Sequence, residues 1–229
     1  MRFHTLMLAA LATAGSICAA PAMAGIIADT SRAQLNANNT VAWSAFGADG
    51  STLSTPVFEP VGSESVHVAS SSGQLLINQQ GTTWNGNFAN GDSVLFQPND
   101  SDSFIVGFST PVSAVGTQIE SDTFGAFTGY MDFWSTTNVL LGEVSVSGNS
   151  SSAGDNSAVF IGGQSSAADI SYVTFLVNVG NPSFPKQGDL GINQLDFTTN
   201  GTSVPEPLSL ALFGAGLGGL GLLRHRRTA

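Results

Sequence analysis

The 229-residue chain is poor in the residue types that most chemistry needs: it has one cysteine, three histidines and six Lys or Arg. Each shortage removes a class of function. Cys18 lies in the first two dozen residues, and past them there is no thiol for a disulfide or a thiolate metal site. The basic residues are Arg2, Arg32, Lys186, Arg224, Arg226 and Arg227, so between residues 25 and 203 Arg32 and Lys186 stand against fifteen acids. Phosphate contacts need Lys and Arg, which excludes nucleic acid as a partner. In the same span His67 is the lone histidine. A Ser-His-Asp triad would have to use it, but its place between Val66 and Val68 marks it as a solvent-facing strand residue. Transition-metal centres want several His or Cys ligands, and the supply is missing. Carboxylates exist at Glu59, Glu64, Glu120 and Glu143, yet nothing around them singles out a catalytic pair. The expectation is a protein that is not an enzyme.

The ends carry clearer signals. Residues 1–24 read as a signal peptide: Arg2 makes a short positive region, Leu6 to Ala20 an apolar one, and Ala22-Met23-Ala24 an A-x-A cleavage site. At the other end Leu208 to Leu223 is an uncharged apolar run of 16 residues, about 24 Å long as a helix. Arg224, Arg226 and Arg227 follow it and should stay cytoplasmic as a stop-transfer cluster. Pro205 and Pro207 disfavour helix just before the span and hold Glu206 on extended backbone at the membrane surface. The body between these ends is expected outside the cytoplasm, anchored first in the inner membrane and then at the cell surface or beyond.

Val204-Pro205-Glu206-Pro207, the glycine-rich span and the basic Arg224-His225-Arg226-Arg227 tail resemble the PEP-CTERM sorting signal over residues 204–229. The resemblance implies processing by an exosortase-type membrane enzyme, in bacteria that secrete exopolysaccharide. The same tail is sometimes labelled an ice-binding protein C-terminal domain; the label describes an address, and no ice binding is read from it.

Residues 25–203 lack a helix signal of useful length; "TSRAQLNANN" at Thr30 to Asn39 is the nearest and is short and polar. Strand alternation recurs instead. "SFIVGFS" places Phe104, Val106 and Phe108 on one face. "SYVTFLVNV" places Val173, Phe175, Val177 and Val179 on one face and Tyr172, Thr174, Leu176 and Asn178 opposite. "SVHVAS", "QLLIN", "EVSVSG", "SAVFIG" and "INQLDF" read as further strands, separated by Gly, Asn, Ser and Asp clusters. The pattern predicts an all-β fold, an antiparallel two-sheet β-sandwich of jelly-roll type with about nine or ten strands. One short C-terminal transmembrane helix would follow it. "FSTPVSAVG", "AVFIG" and "INQL" are also similar to the bodies of many PEP-CTERM proteins, which implies the same fold class and secretion. In that frame Pro111 should open a strand, and Gly116 should mark a bulge or a close backbone approach.

Two kinds of site remain in view. Sugars are held by aromatic rings flanked by Asn, Asp and Gln. Trp84 with Asn85 and Asn87 in "TTWNGNF" is the first candidate, and Tyr130 with Trp134 in "GYMDFWS" the second. Alternation puts Tyr130, Asp132 and Trp134 on one face of a strand. Calcium wants carboxylate and carbonyl oxygens, which Asn99, Asp100 and Asp102 offer in one loop, although their spacing matches no EF-hand. No cofactor is expected beyond a possible structural calcium ion. The composite expectation is a non-enzymatic exported surface or matrix protein associated with exopolysaccharide. A carbohydrate- or calcium-binding recognition module is the alternative, and a secreted hydrolase a distant third.

Overall fold

The computed structural model describes residues 25–70, 74–98, 103–180 and 188–199. The leader with Ala22 and Ala24, the calcium candidates Asn99, Asp100 and Asp102, and the whole sorting segment lie outside the described residues.

Fifteen strands, one short α-helix and one 3-10 turn (Trp43–Ala45) are found among the described residues. In chain order they are β1 (Ile27–Asp29), α1 (Arg32–Leu35), β2 (Asn39–Val41), β3 (Ser51–Ser54), β4 (Val57–Val61) and β5 (Glu64–Ser70). Then come β6 (Gln74–Gln79), β7 (Ser93–Gln97), β8 (Phe104–Val112), β9 (Ala114–Ser121) and β10 (Gly125–Trp134). Last are β11 (Leu140–Ser150), β12 (Val159–Gln164), β13 (Ile170–Asn178), β14 (Leu190–Ile192) and β15 (Leu195–Thr198). They form two antiparallel sheets. Six strands run in the order β11-β10-β13-β8-β5-β4. Nine make the other sheet, β1-β12-β9-β14-β7-β6-β3, with β15 also on β9 and β2 on β15. The two-sheet antiparallel expectation is what the structure has.

The strand count is higher than the sequence pattern suggested, because β1 to β4 are three to five residues long and too short to show an alternation. Pro111 also differs from expectation: it is the penultimate residue of β8, where the pairing with β13 is already irregular. A missing N–H costs little at such a strand end.

The predicted alternation places the core. Val66, Val68, Phe104, Val106, Phe108, Phe133, Val173, Phe175 and Val177 point inward from the six-stranded sheet, and Val115, Ile119, Ile161, Leu190, Ile192, Leu195 and Phe197 from the other. The layers meet ring to ring at Phe108 and Phe197, 5.1 Å between centroids. Where β14 gives way to β15, Asn193 is buried; its amide nitrogen donates to Asp92 and Gln118, and its side-chain oxygen accepts from the Gln118 N–H. The chain thus breaks its ladder there without leaving a polar group unpaired.

The outer face of the nine-stranded sheet is covered. On one side α1 lies against β1, β9, β12 and β15. Gly116 and Gly162 leave room there for the Phe160 ring, which is the close approach that Gly116 predicted. The Arg32 guanidinium sits over that ring and pairs with Asp196, which is almost wholly buried. Breaking a buried pair strands a charge. Arg32→Met should therefore lower the unfolding free energy by about 2–3 kcal/mol, somewhat less than for a fully buried pair because Arg32 is itself part-exposed. Adding Asp196→Asn should recover part of the loss in the same denaturation experiment.

Candidate functional site

On its other side the nine-stranded sheet is covered by the loop of residues 80–92. Gln80 fixes this loop through its side chain, which donates to the Gly86 carbonyl (3.0 Å) and accepts from the Gly86 N–H (3.1 Å). Trp84 is the plug. It is 4% exposed and packs with Phe88, Val94, Ala158 and Phe96 in a second, small core. Its ring lies over Gly191, where any side chain would press on it. Beneath it Glu120, fully buried, accepts from the Asn87 N–H at 2.8–2.9 Å and from the Trp84 indole at 3.4 Å. Asn87, also buried, donates from its side chain to Ser151 and Ser157, tying this loop to the next.

Trp84 and Asn87 are therefore structural, a correction to the reading of them as sugar contacts: a ring with 4% of its surface exposed offers no face for stacking. Asn85 is exposed, with Thr82, Thr83 and Asn90 but with no exposed aromatic ring in the loop. The signal was Trp84's company; Phe88, Val94 and Phe96 close by in sequence supply the apolar walls of a plug.

Burial pushes the Glu120 carboxyl above its ordinary range, and hydrogen bonds from Asn87, Trp84 and Ser151 pull it back only in part. A carboxyl raised in the folded state holds its proton more tightly there than in the unfolded chain. Its contribution to stability is complete below the unfolded value and is lost as pH rises through the folded one. Glu120→Gln removes this dependence while keeping an acceptor for Asn87. Urea titrations at about pH 4 and about pH 7 should show the wild type losing more stability over that interval than the variant.

The outer face of the six-stranded sheet is different. Tyr130, Asp132 and Trp134 do share it, between the buried Met131 and Phe133. Register then gathers residues that the sequence left apart. Trp134 stands opposite Leu140 on β11 and opposite Tyr172 on β13; Tyr172 faces Gly107 on β8, Gly107 faces His67 on β5, and His67 faces Phe58 on β4. One row thus crosses all six strands, Leu140–Trp134–Tyr172–Gly107–His67–Phe58. Four strand intervals separate Trp134 from Phe58, about 19 Å.

Two ring pairs make up the row, one on each side of Gly107. Trp134 and Tyr172 lie 5.8 Å apart with their planes within 5°. His67 leans over Gly107, whose missing side chain makes the space, and stacks with Phe58 at 5.2 Å. Burial under that contact lowers the His67 pKa, so the ring is neutral over more of the pH range. Of the five large apolar residues left well exposed among those described, Phe58 (62%), Leu140 (47%) and the adjacent Val139 sit at the ends of this row. Polar groups flank it. Asp132 and Glu143 oppose each other in the next row, where Thr174 donates to Asp132 at 3.5 Å and accepts from the Trp134 indole at 3.3 Å. Asn138 accepts from the Tyr172 hydroxyl at 3.3 Å.

Sequence reasoning put Tyr130, Trp134 and Tyr172 at outward positions but missed the row, which includes Trp134 and Tyr172 and not Tyr130, paired instead with Ser145 and Leu176. Its members are up to 114 positions apart, from Phe58 to Tyr172, and only strand order joins them.

No protein-family model and no curated protein matches this chain. Among solved structures it is similar to CsCBM6-3 from Clostridium stercorarium, solved in complex with cellobiose, at 13% identity and TM-score 0.32, over 66% of this chain and 95% of that one. A DUF4465 family protein from Bacteroides caccae is similar at 11% identity and TM-score 0.40, over 66% of this chain and 94% of that one. At these identities and scores the likeness decides nothing about this chain.

Proposed function

We propose that this chain is an exported, non-enzymatic surface or matrix protein that holds exopolysaccharide on the outer face of its six-stranded sheet. The observation that carries the proposal is the row from Leu140 to Phe58. A sheet that only needed to be soluble would put charged and small polar residues outward. Here Trp134 beside Tyr172, and His67 beside Phe58, stand in one row instead, flanked by carboxylate, hydroxyl and amide groups suited to sugar hydroxyls. Aromatic cross-strand pairs also stabilise sheets. That role alone does not favour leaving Phe58 more than half exposed. The test is affinity electrophoresis of the protein through gels containing the host's own exopolysaccharide. Retardation supports the reading, and free migration at every polysaccharide concentration overturns it.

Delivery rests on the two ends. The leader exports the chain, the apolar span holds it in the inner membrane, and Val204 to Pro207 presents the tail to an exosortase-type enzyme. Deleting residues 204–229 should move the protein from the membrane fraction to the soluble exported fraction. An unchanged fractionation pattern would count against the sorting role.

A further inference from the structure

We infer that the ligand of this face is an uncharged, ribbon-like polysaccharide, bound along an internal stretch of about four sugar rings that runs across the strands; the inference rests on the glycan-binding reading above. Geometry supplies the direction and the length. The row lies across the strands at their spacing of about 4.8 Å, and at Gly107, its one position without a side chain, the His67 ring leans into the space. An extended hexose chain advances by nearly the same interval per ring, so successive rings meet successive strands. A polymer that coils would leave the row after one or two contacts.

The open ends supply the mode. Phe58 and Leu140 stand exposed at the two margins, so among the described residues the row has no wall that would stop a chain and read its terminus. Internal segments can lie across it and continue beyond both edges. Charge supplies the class. Asp132 and Glu143 border the row beside Trp134. Arg32, the only Lys or Arg among the described residues, is held by Asp196 on the opposite outer face of the sandwich. A polyanion would meet carboxylates with no cation beside them among the described residues, and repulsion of this kind acts as selectivity against it.

The full-length protein in detergent is run through gels holding hydroxyethylcellulose or carboxymethylcellulose, which share one ribbon backbone and differ in charge. It is also titrated calorimetrically with cello-oligosaccharides of two to six rings. The expected result is retardation by the uncharged polymer and little by the anionic one. Affinity should climb from two rings to four and then level off. Phe58→Ala should weaken the four-ring ligand about tenfold and leave the two-ring ligand nearly unchanged, because Phe58 meets only the far end of a longer chain. Equal or stronger binding of carboxymethylcellulose overturns the inference, as does a plateau at two rings. So does dimerisation in sedimentation runs that Phe58→Ala abolishes without any glycan dependence, which would make the row a contact between two copies of the chain. Retardation by the host polysaccharide together with indifference to every ribbon polymer sinks this inference and leaves the broader function standing. Loss of both sinks both.

Discussion

Trp84→Ala should lower the unfolding free energy by about 3–5 kcal/mol, the range for truncating a buried large aromatic ring. The ring closes a core that is separate from the main one and small, so few neighbours can relax into the space it leaves. Three losses coincide. The T-shaped contact with Phe96 at 5.1 Å goes, the Phe88 ring 6.1 Å away loses its partner, and Glu120 loses the indole donor while remaining buried. The loop of residues 80–92 should loosen as a unit, because its backbone is anchored around Trp84: the Trp84 N–H donates to the Gln79 carbonyl and its own carbonyl accepts from Gly81. Urea denaturation reads the global term, and hydrogen exchange at residues 80–92 reads the local one. If the alanine variant does not fold, Trp84→Phe keeps most of the packing and drops only the indole donor, with an expected cost of about 1–2 kcal/mol. A cost under about 0.5 kcal/mol for Trp84→Ala would show that the plug carries no weight.

The contrast between Trp84 and Trp134 shows what a sequence reveals of this molecule. Strand faces were legible, because a period of two is a property of neighbours along the chain. Phe104, Val106 and Phe108 point inward as the alternation required, and Tyr130, Asp132 and Trp134 point outward. Fold class followed from the same signal. Short strands were not legible: β1 has three residues and β2 three, and pairing with β12 and β15 rather than local pattern makes them strands. Loops were the least legible. Trp84 sits in a turn whose period is undefined, so only the apolar Phe88, Val94 and Phe96 nearby in sequence hinted that its ring is a plug. The site itself was legible residue by residue and invisible as a whole. Phe58, His67, Gly107, Trp134 and Tyr172 come together only through the strand order β10-β13-β8-β5-β4, which long-range pairing decides.

Removing both rings at the other end of the molecule should have the opposite effect. In Trp134→Ala/Tyr172→Ala, retardation by polysaccharide should fall by about a hundredfold in apparent affinity, since aromatic anchors at the centre of a site commonly contribute about 2 kcal/mol or more and the two lie side by side. Stability should fall by only about 1–2 kcal/mol. The pair is half-exposed, and what the fold loses is one ring contact and two hydrogen bonds, from the indole to Thr174 and from the Tyr172 hydroxyl to Asn138. Tyr172→Phe is the control: it keeps the ring and removes the hydroxyl that donates to Asn138, so binding should persist within a few-fold. The two tryptophans are thereby separable. A Trp84 variant should be fragile yet bind in proportion to the folded fraction. The Trp134 and Tyr172 variant should be sturdy and migrate freely. If the sturdy variant were still fully retarded, the row would be an aromatic ladder that serves only the sheet, and the glycan site would have to be sought on another surface.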